Sequence, residues 1–183
     1  MDNGAANRIE LNLQTVKQLF NSMDPSPFRE RDLDKEAEEF IVSWAQEHPL
    51  HLPMKLVVHL REPCEPGEVG QLITESIHHY FEYKSGRNRH KFRRLMREGW
   101  ISLLIGLSFL AACTFAAQTL APRFGELQAV IHEGLIIIGW VAMWRPLDIY
   151  LYRWWPLREL GKVYRKLSEI PIEVNAAAAS PAV

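Results

Sequence analysis

Ile9, Leu11 and Leu13 alternate with polar neighbours, which is the period of a strand with one buried face. The period lengthens at Val16, Leu19 and Phe20, predicting a short helical turn, and Pro25 and Pro27 then rule out a continuous helix. Asp34 stands where an N-cap belongs for a helix over Lys35 to Glu47. The apolar stripe of that helix is Ala37, Phe40, Ile41, Trp44 and Ala45, and its early Glu36, Glu38 and Glu39 suit the helix dipole. Beyond a turn bracketed by Pro49 and Pro53, Met54 to Leu60 predicts a second strand and Glu62 to Gly67 a loop. Helical spacing returns from Glu68 with Val69, Leu72, Ile73, Ile77, Tyr80 and Phe81. Ser85 and Gly86 predict a break or hinge before Arg87 to Glu98.

The pattern then loses its charged positions. Trp100 to Ala121 is an uncharged run of 22 residues. A helix of that length rises about 33 Å, enough for a hydrocarbon core of about 30 Å. A second apolar stretch, Leu127 to Trp144, follows a short turn around Pro122 to Glu126, and the pair predicts a transmembrane hairpin. Leu157 to Leu167 predicts an amphipathic helix for a membrane surface, with Leu160, Val163, Tyr164 and Leu167 opposite Arg158, Lys162, Arg165 and Lys166. Asn175 to Val183 predicts a disordered tail of small residues.

The expected fold class is therefore an α+β cytoplasmic head (β-α-β-α) over residues 1–86. A basic juxtamembrane helix and two-helix transmembrane hairpin follow over 87–155, then an interfacial helix and tail over 156–183. Two strands make a poor independent sheet. The head is expected to pair edges with a second copy, to accept a strand from a partner, or to contain a further strand.

Charge sharpens this division. Residues 1–83 hold 7 Lys/Arg against 15 Asp/Glu, a net of -8, and residues 84–166 hold 14 against 5, a net of +9. Lys84, Arg87, Arg89, Lys91, Arg93, Arg94 and Arg97 crowd the approach to the first span. Arg145, Arg153, Arg158, Lys162, Arg165 and Lys166 follow the second, and the turn between the spans has only Arg123. By the positive-inside rule both termini are expected in the cytoplasm. No positive segment followed by an apolar core opens the chain, so the first span is expected to direct insertion. The two cysteines, Cys64 and Cys113, lie in a loop and in mid-span, which implies no disulfide and suits a reducing compartment.

Candidate chemistry is sparse. Arg93, Arg94, Arg97, Trp144, Arg145, Trp154 and Trp155 are expected to anchor the hairpin at the lipid interface. Ser108, Ala112 and Ala116 share one face of the first span, and with Gly139 they allow close packing of helices, within the hairpin or between copies. His132 and Glu133 are the polar residues that could lie inside the membrane. If Trp144 marks the inner interface, Glu133 lies roughly 17 Å up the helix, near the depth of Cys113 and Thr114. If instead the span runs from Gly134 to Tyr152, both residues sit at the outer surface.

In the head, the charged loop with Asp24, Phe28, Arg29, Asp32 and Asp34 is the candidate interaction surface. Its carboxylates lack the calcium-loop pattern, so no metal site is expected there. His48 and His51 flank Pro49 and so share no helix face, and His78 and His79 point about 100° apart on a helix. No phosphate-cradling glycine loop is present, and no catalytic residue or cofactor is expected. Nucleic acid is excluded as a partner, because the acidic head would repel a phosphate backbone.

Two segments carry a resemblance: Asp24-Pro25-Ser26-Pro27-Phe28-Arg29-Glu30-Arg31-Asp32-Leu33-Asp34, and the run Gly139 to Pro146 with Leu151 to Pro156. The chain, apart from its two ends, resembles a group of uncharacterised bacterial two-span membrane proteins. The resemblance implies a bacterial inner (plasma) membrane and no known activity. Together these readings point to a membrane-anchored, non-enzymatic interaction or assembly module with lipid, a homo-oligomer or a protein as partner. The alternatives are an oligomeric channel- or transporter-type protein using Glu133 and, less favoured, a metal-dependent enzyme in the head.

Overall fold

The computed structural model describes residues 8–21, 31–61 and 66–176. It is mostly helical, with one small parallel sheet, and divides into two compact units. One unit is built from the residues up to Arg87 together with those from Leu160, and the other from Asn88 to Glu159.

In the sheet unit, β1 (Arg8–Leu13), β2 (Lys55–Leu60) and β3 (Ile172–Ala176) lie in the order β1-β2-β3, all parallel. Register pairs Ile9 with Leu56, Leu11 with Val58, Leu56 with Ile172 and Val58 with Val174. Because strand side chains alternate in direction, those residues all point to one face. That face meets Ile41 and Ala45 of α1 (Lys35–Glu47) and Ile73, Ile77 and Phe81 of α2 (Pro66–Thr119), all of them buried. Each fully buried Leu, Ile or Phe contributes about 1.5–3 kcal/mol.

The third strand corrects part of the expectation for the C-terminal region. Instead of lying on a membrane surface, the second half of α5 (Trp154–Leu167) carries Val163 and Leu167 into the core of the sheet unit. Of the expected tail, Asn175 and Ala176 belong to a strand, while 177–183 lie outside the described residues. Buried Ile170 follows, and β3 adds to β2. Lys166 Nζ donates to the carbonyls of Leu50 and Leu52, and the His78 ring lies 2.8 Å from the Ile170 carbonyl. An amphipathic stripe has the same pattern whether it meets lipid or a protein core, so periodicity alone does not separate the two. With β3 in place, the sheet has the three strands that a stable sheet needs.

A second correction concerns Ser85 and Gly86. α2 passes through them without a break. One glycine costs a helix interior only about 1 kcal/mol, which the good helix formers around it tolerate.

In the hairpin unit, the latter part of α2 packs against α3 (Gln128–Val141), α4 (Trp144–Asp148) and the π-helical segment Ile149–Arg153. Gly125, at φ 54°, occupies the left-handed region in the turn between α2 and α3. Pro146 explains the interruption after Val141, because it lacks the N–H that would reach Ala142 and its ring crowds that carbonyl. The seam is made by Gly99, Gly106, Cys113 and Ala117, all buried at near-heptad spacing. A β-carbon on Gly106 would lie 3.0 Å from the Ala142 carbonyl oxygen, and one on Gly139 would lie 2.9 Å from Leu110 Cδ1. Of the expected small residues, Ser108 and Ala112 are exposed, Ala116 is half-buried, and Gly139 is buried in the packing.

Two helices, Val69–Thr119 and Pro122–Leu167, are long and apolar enough to cross a membrane. Their most apolar windows are only 17% and 6% buried, so the apolar surface faces outward.

Candidate functional site

Of the expected interaction loop, Asp24, Phe28 and Arg29 lie outside the described residues. Asp32 and Asp34 stand at its base, which is pinned. Phe20 and Leu33 form an antiparallel bridge with both side chains buried. The Asn21 amide donates to the Asp32 carbonyl at 2.8 Å, and the Asp34 amide to the Leu19 carbonyl at 2.9 Å. Asp34 also caps α1, its carboxylate accepting from the Glu36 amide at 2.9 Å. That role ties Asp34 to the helix, as its place in the sequence predicts.

The other side of the sheet is mostly polar. Arg8, Glu10 and Asn12 of β1, Lys55 and His59 of β2, and Glu173 and Asn175 of β3 occupy it, exposed or half-exposed, around a buried Val57 at its centre. Lys55 pairs with Glu173 across the strands and holds its carboxyl below the usual carboxylate range. His59 lies 4.0 Å from Glu10. β1 and β3 are both edge strands, and a groove of about 380 Å³ runs beside β3, lined by Gly70, Thr74, Glu75, Ile172 and Val174. Parallel sheets are ordinarily covered on both faces, and among the described residues this one is covered on a single face.

A polar clasp joins α1 to α2 in this unit. Tyr80 Oη donates to Glu38 Oε2 at 2.6 Å, and Lys84 Nζ donates to the same oxygen at 2.9 Å. Burial, and then the Glu38 hydrogen bond and charge, push the Tyr80 hydroxyl well above its ordinary range. The hydrogen bond ties α1 to α2. Its signal in the sequence is faint, since Glu38 reads as a first-turn acid and Tyr80 as part of an apolar stripe.

The histidines are spread out. His48 stacks on Trp44 with ring centroids 3.9 Å apart, its Nδ1 3.0 Å from the Trp44 carbonyl, and His78 and His59 have the separate neighbours given above. Among the described residues, no three His, Cys, Asp or Glu side chains gather as a metal site. Cys113 is a buried free thiol in the hairpin seam, and Cys64 lies outside the described residues.

In the hairpin unit, Gly99 lies against Ile149 and Tyr150, Gly106 against Ala142 and Met143, and Gly139 against Leu110 and Cys113. Continuing this antiparallel step sets Glu133 beside Ala116 and Ala117, within one turn of the end of α2 at Thr119. In this pairing Tyr150, not Trp144, lies beside the start of the uncharged run. Glu133 is exposed and His132 half-buried. Arg93, Arg94, Arg97, Trp144, Arg145 and Trp155 are exposed, and Trp154 is half-buried, its Nε1 donating to the Tyr150 carbonyl at 2.7 Å. Arg145 pairs with Glu98, and Asn88, which is buried, donates to the Leu157 carbonyl at 2.7 Å. Comparisons with protein-family models, with curated proteins and with solved structures find no match for this chain.

Proposed function

We propose that this protein is a membrane-anchored, non-enzymatic interaction module whose sheet unit docks a partner protein or a second copy of the chain. The observation that carries this reading is the parallel sheet that, among the described residues, is half-covered, with a mostly polar second face and an edge strand at each side. Open strand edges are ready templates for pairing, and the groove beside β3 offers room for side chains of an added strand. The pinned base at Phe20 and Leu33 supports the neighbouring charged loop as a second part of the contact surface.

The reading places the hairpin across the bacterial inner membrane with both chain ends in the cytoplasm. The outward-facing apolar helices and the basic flanks support it. So does connectivity, because the hairpin is inserted between β2 and β3 of one sheet. Residues before and after the hairpin fold together and so belong on one side of any bilayer it crosses.

Gentle purification of the full chain from its membrane, with mass determination of the particle, tests the proposal. A stoichiometric companion or a second copy is expected. Asn12→Arg with Asn175→Arg on the open face, or Arg29→Glu in the loop, should release it without lowering expression. A monomer carrying no other protein would overturn the reading.

A further inference from the structure

Glu98 and Arg145 form an ion pair between the two arms of the hairpin, although their side chains are 44% and 53% exposed. The pairing of the arms sets the Arg145 backbone near Leu104, about 9 Å along α2 from Glu98. Arg145 thus reaches back along the helix surface to bring its guanidinium to the start of the uncharged run, as long basic side chains do at a membrane boundary.

Two more guanidiniums join this pair. Arg94 is one turn before Glu98 on the same face of α2. Arg153, at the end of the π-helical segment, also acts on Glu98. The Arg145 hydrogen bond, and with it the charges of Arg145, Arg153 and Arg94, hold the Glu98 carboxyl below its usual range. Arg145 pairs with Glu98, Arg94 stands one turn before it, and Arg153 stands one turn beyond Tyr150, which packs against Gly99. Three arginines thus lie near one carboxylate, and positive charge remains in surplus even when Asp148 is counted.

The surroundings suit a lipid. Trp100, Trp144 and Tyr152 are exposed and lie next to or near Glu98, Arg145 and Arg153 in the chain, and such rings gather where headgroups meet acyl chains. Ile101, Leu104 and Ile105 continue from the cluster as exposed apolar surface. We infer that Arg94, Arg145 and Arg153, with Arg145 oriented by Glu98, bind the phosphate of an anionic phospholipid whose acyl chain lies along Ile101 to Ile105. Guanidinium forks match phosphate oxygens in geometry as well as charge. The inference rests on the membrane reading above.

The test uses the full chain in bilayer discs of a zwitterionic phospholipid doped with phosphatidylglycerol, followed by extraction and mass spectrometry of retained lipid. Wild type should retain phosphatidylglycerol over the zwitterionic lipid, and millimolar glycerol phosphate should not displace it. Arg153→Gln and Arg94→Gln, which leave the Glu98–Arg145 pair intact, should each weaken retention about tenfold, the scale of one charge-assisted hydrogen bond. If the chain enters the discs but both arginine variants retain phosphatidylglycerol like wild type, the site is overturned and the membrane anchor stands. Displacement by glycerol phosphate would overturn the lipid as ligand in favour of a free phosphate. A chain that does not enter the discs would overturn both.

Discussion

The two units use apolar residues in opposite senses. In the sheet unit, Ile9, Leu56, Ile77, Phe81 and Leu167 point inward and are almost wholly buried, while charge covers the outside. In the hairpin unit, Trp100, Leu104, Phe115 and Ile137 point outward, and the seam is filled by Gly99, Gly106, Cys113, Ala117 and Gly139. One unit is held by removing large side chains from water. The other is held by the close approach of backbones, which requires small residues, because lipid tails are as apolar as leucine and give such helices little reason to associate.

That contrast can be broken most severely at Leu167. Leu167→Ala should cost about 2–5 kcal/mol of stability, because it leaves a cavity in a packed core. The matched exposed change, Leu104→Ala, should stay within about 0.5 kcal/mol. Thermal unfolding of the two variants in mild detergent measures the difference. Equal, small effects would return α5 to a membrane surface.

A smaller effect is expected at the seam. Gly106→Val should cost about 1–3 kcal/mol by overpacking, since its added β-carbon would meet the Ala142 carbonyl at 3.0 Å. Ser108→Val, on the exposed face two residues away, should be nearly silent. The distance between spin labels at Ile105 and Ile138 would report separation of the arms in the first variant only.

The smallest effect is on the open sheet face. Lys55 lowers the folded-state pKa of Glu173, so its contribution to stability is present above the ordinary carboxylate pKa and lost as pH falls through the depressed value. Lys55→Met should remove that part of the acid dependence in an unfolding series between about pH 5 and pH 2. Since Glu173 is exposed, the change should be slight and further reduced by salt. An acid limb unchanged by the substitution would mean that the pair is not formed in solution.

Much of this architecture was legible in the chain. The alternation at Ile9 to Leu13, the cap at Asp34 and the stripe along α2 are local patterns, and each produced the expected element. The strand at Ile172 to Ala176 was not legible, since five residues next to a run of alanines give little periodicity and its partner is more than a hundred residues away. The Glu38–Tyr80–Lys84 clasp was hidden for a related reason. Each member has an ordinary local role, and only the packing of α1 on α2 brings the three together.

By itself, then, the sequence determined two long apolar helices with basic flanks and the local character of most elements, because hydrophobic periodicity and charge are properties of neighbouring residues. Only the tertiary structure decided that α5 from Leu160 onward belongs to the sheet unit, that the hairpin is inserted between two paired strands, and that Gly99, Gly106, Cys113, Ala117 and Gly139, rather than Ser108 and Ala112, form the seam. Those outcomes depend on which surface each apolar face meets. An apolar stripe is the same stripe before lipid, a neighbouring helix or a protein core, and pairing over long distances in the chain makes the choice.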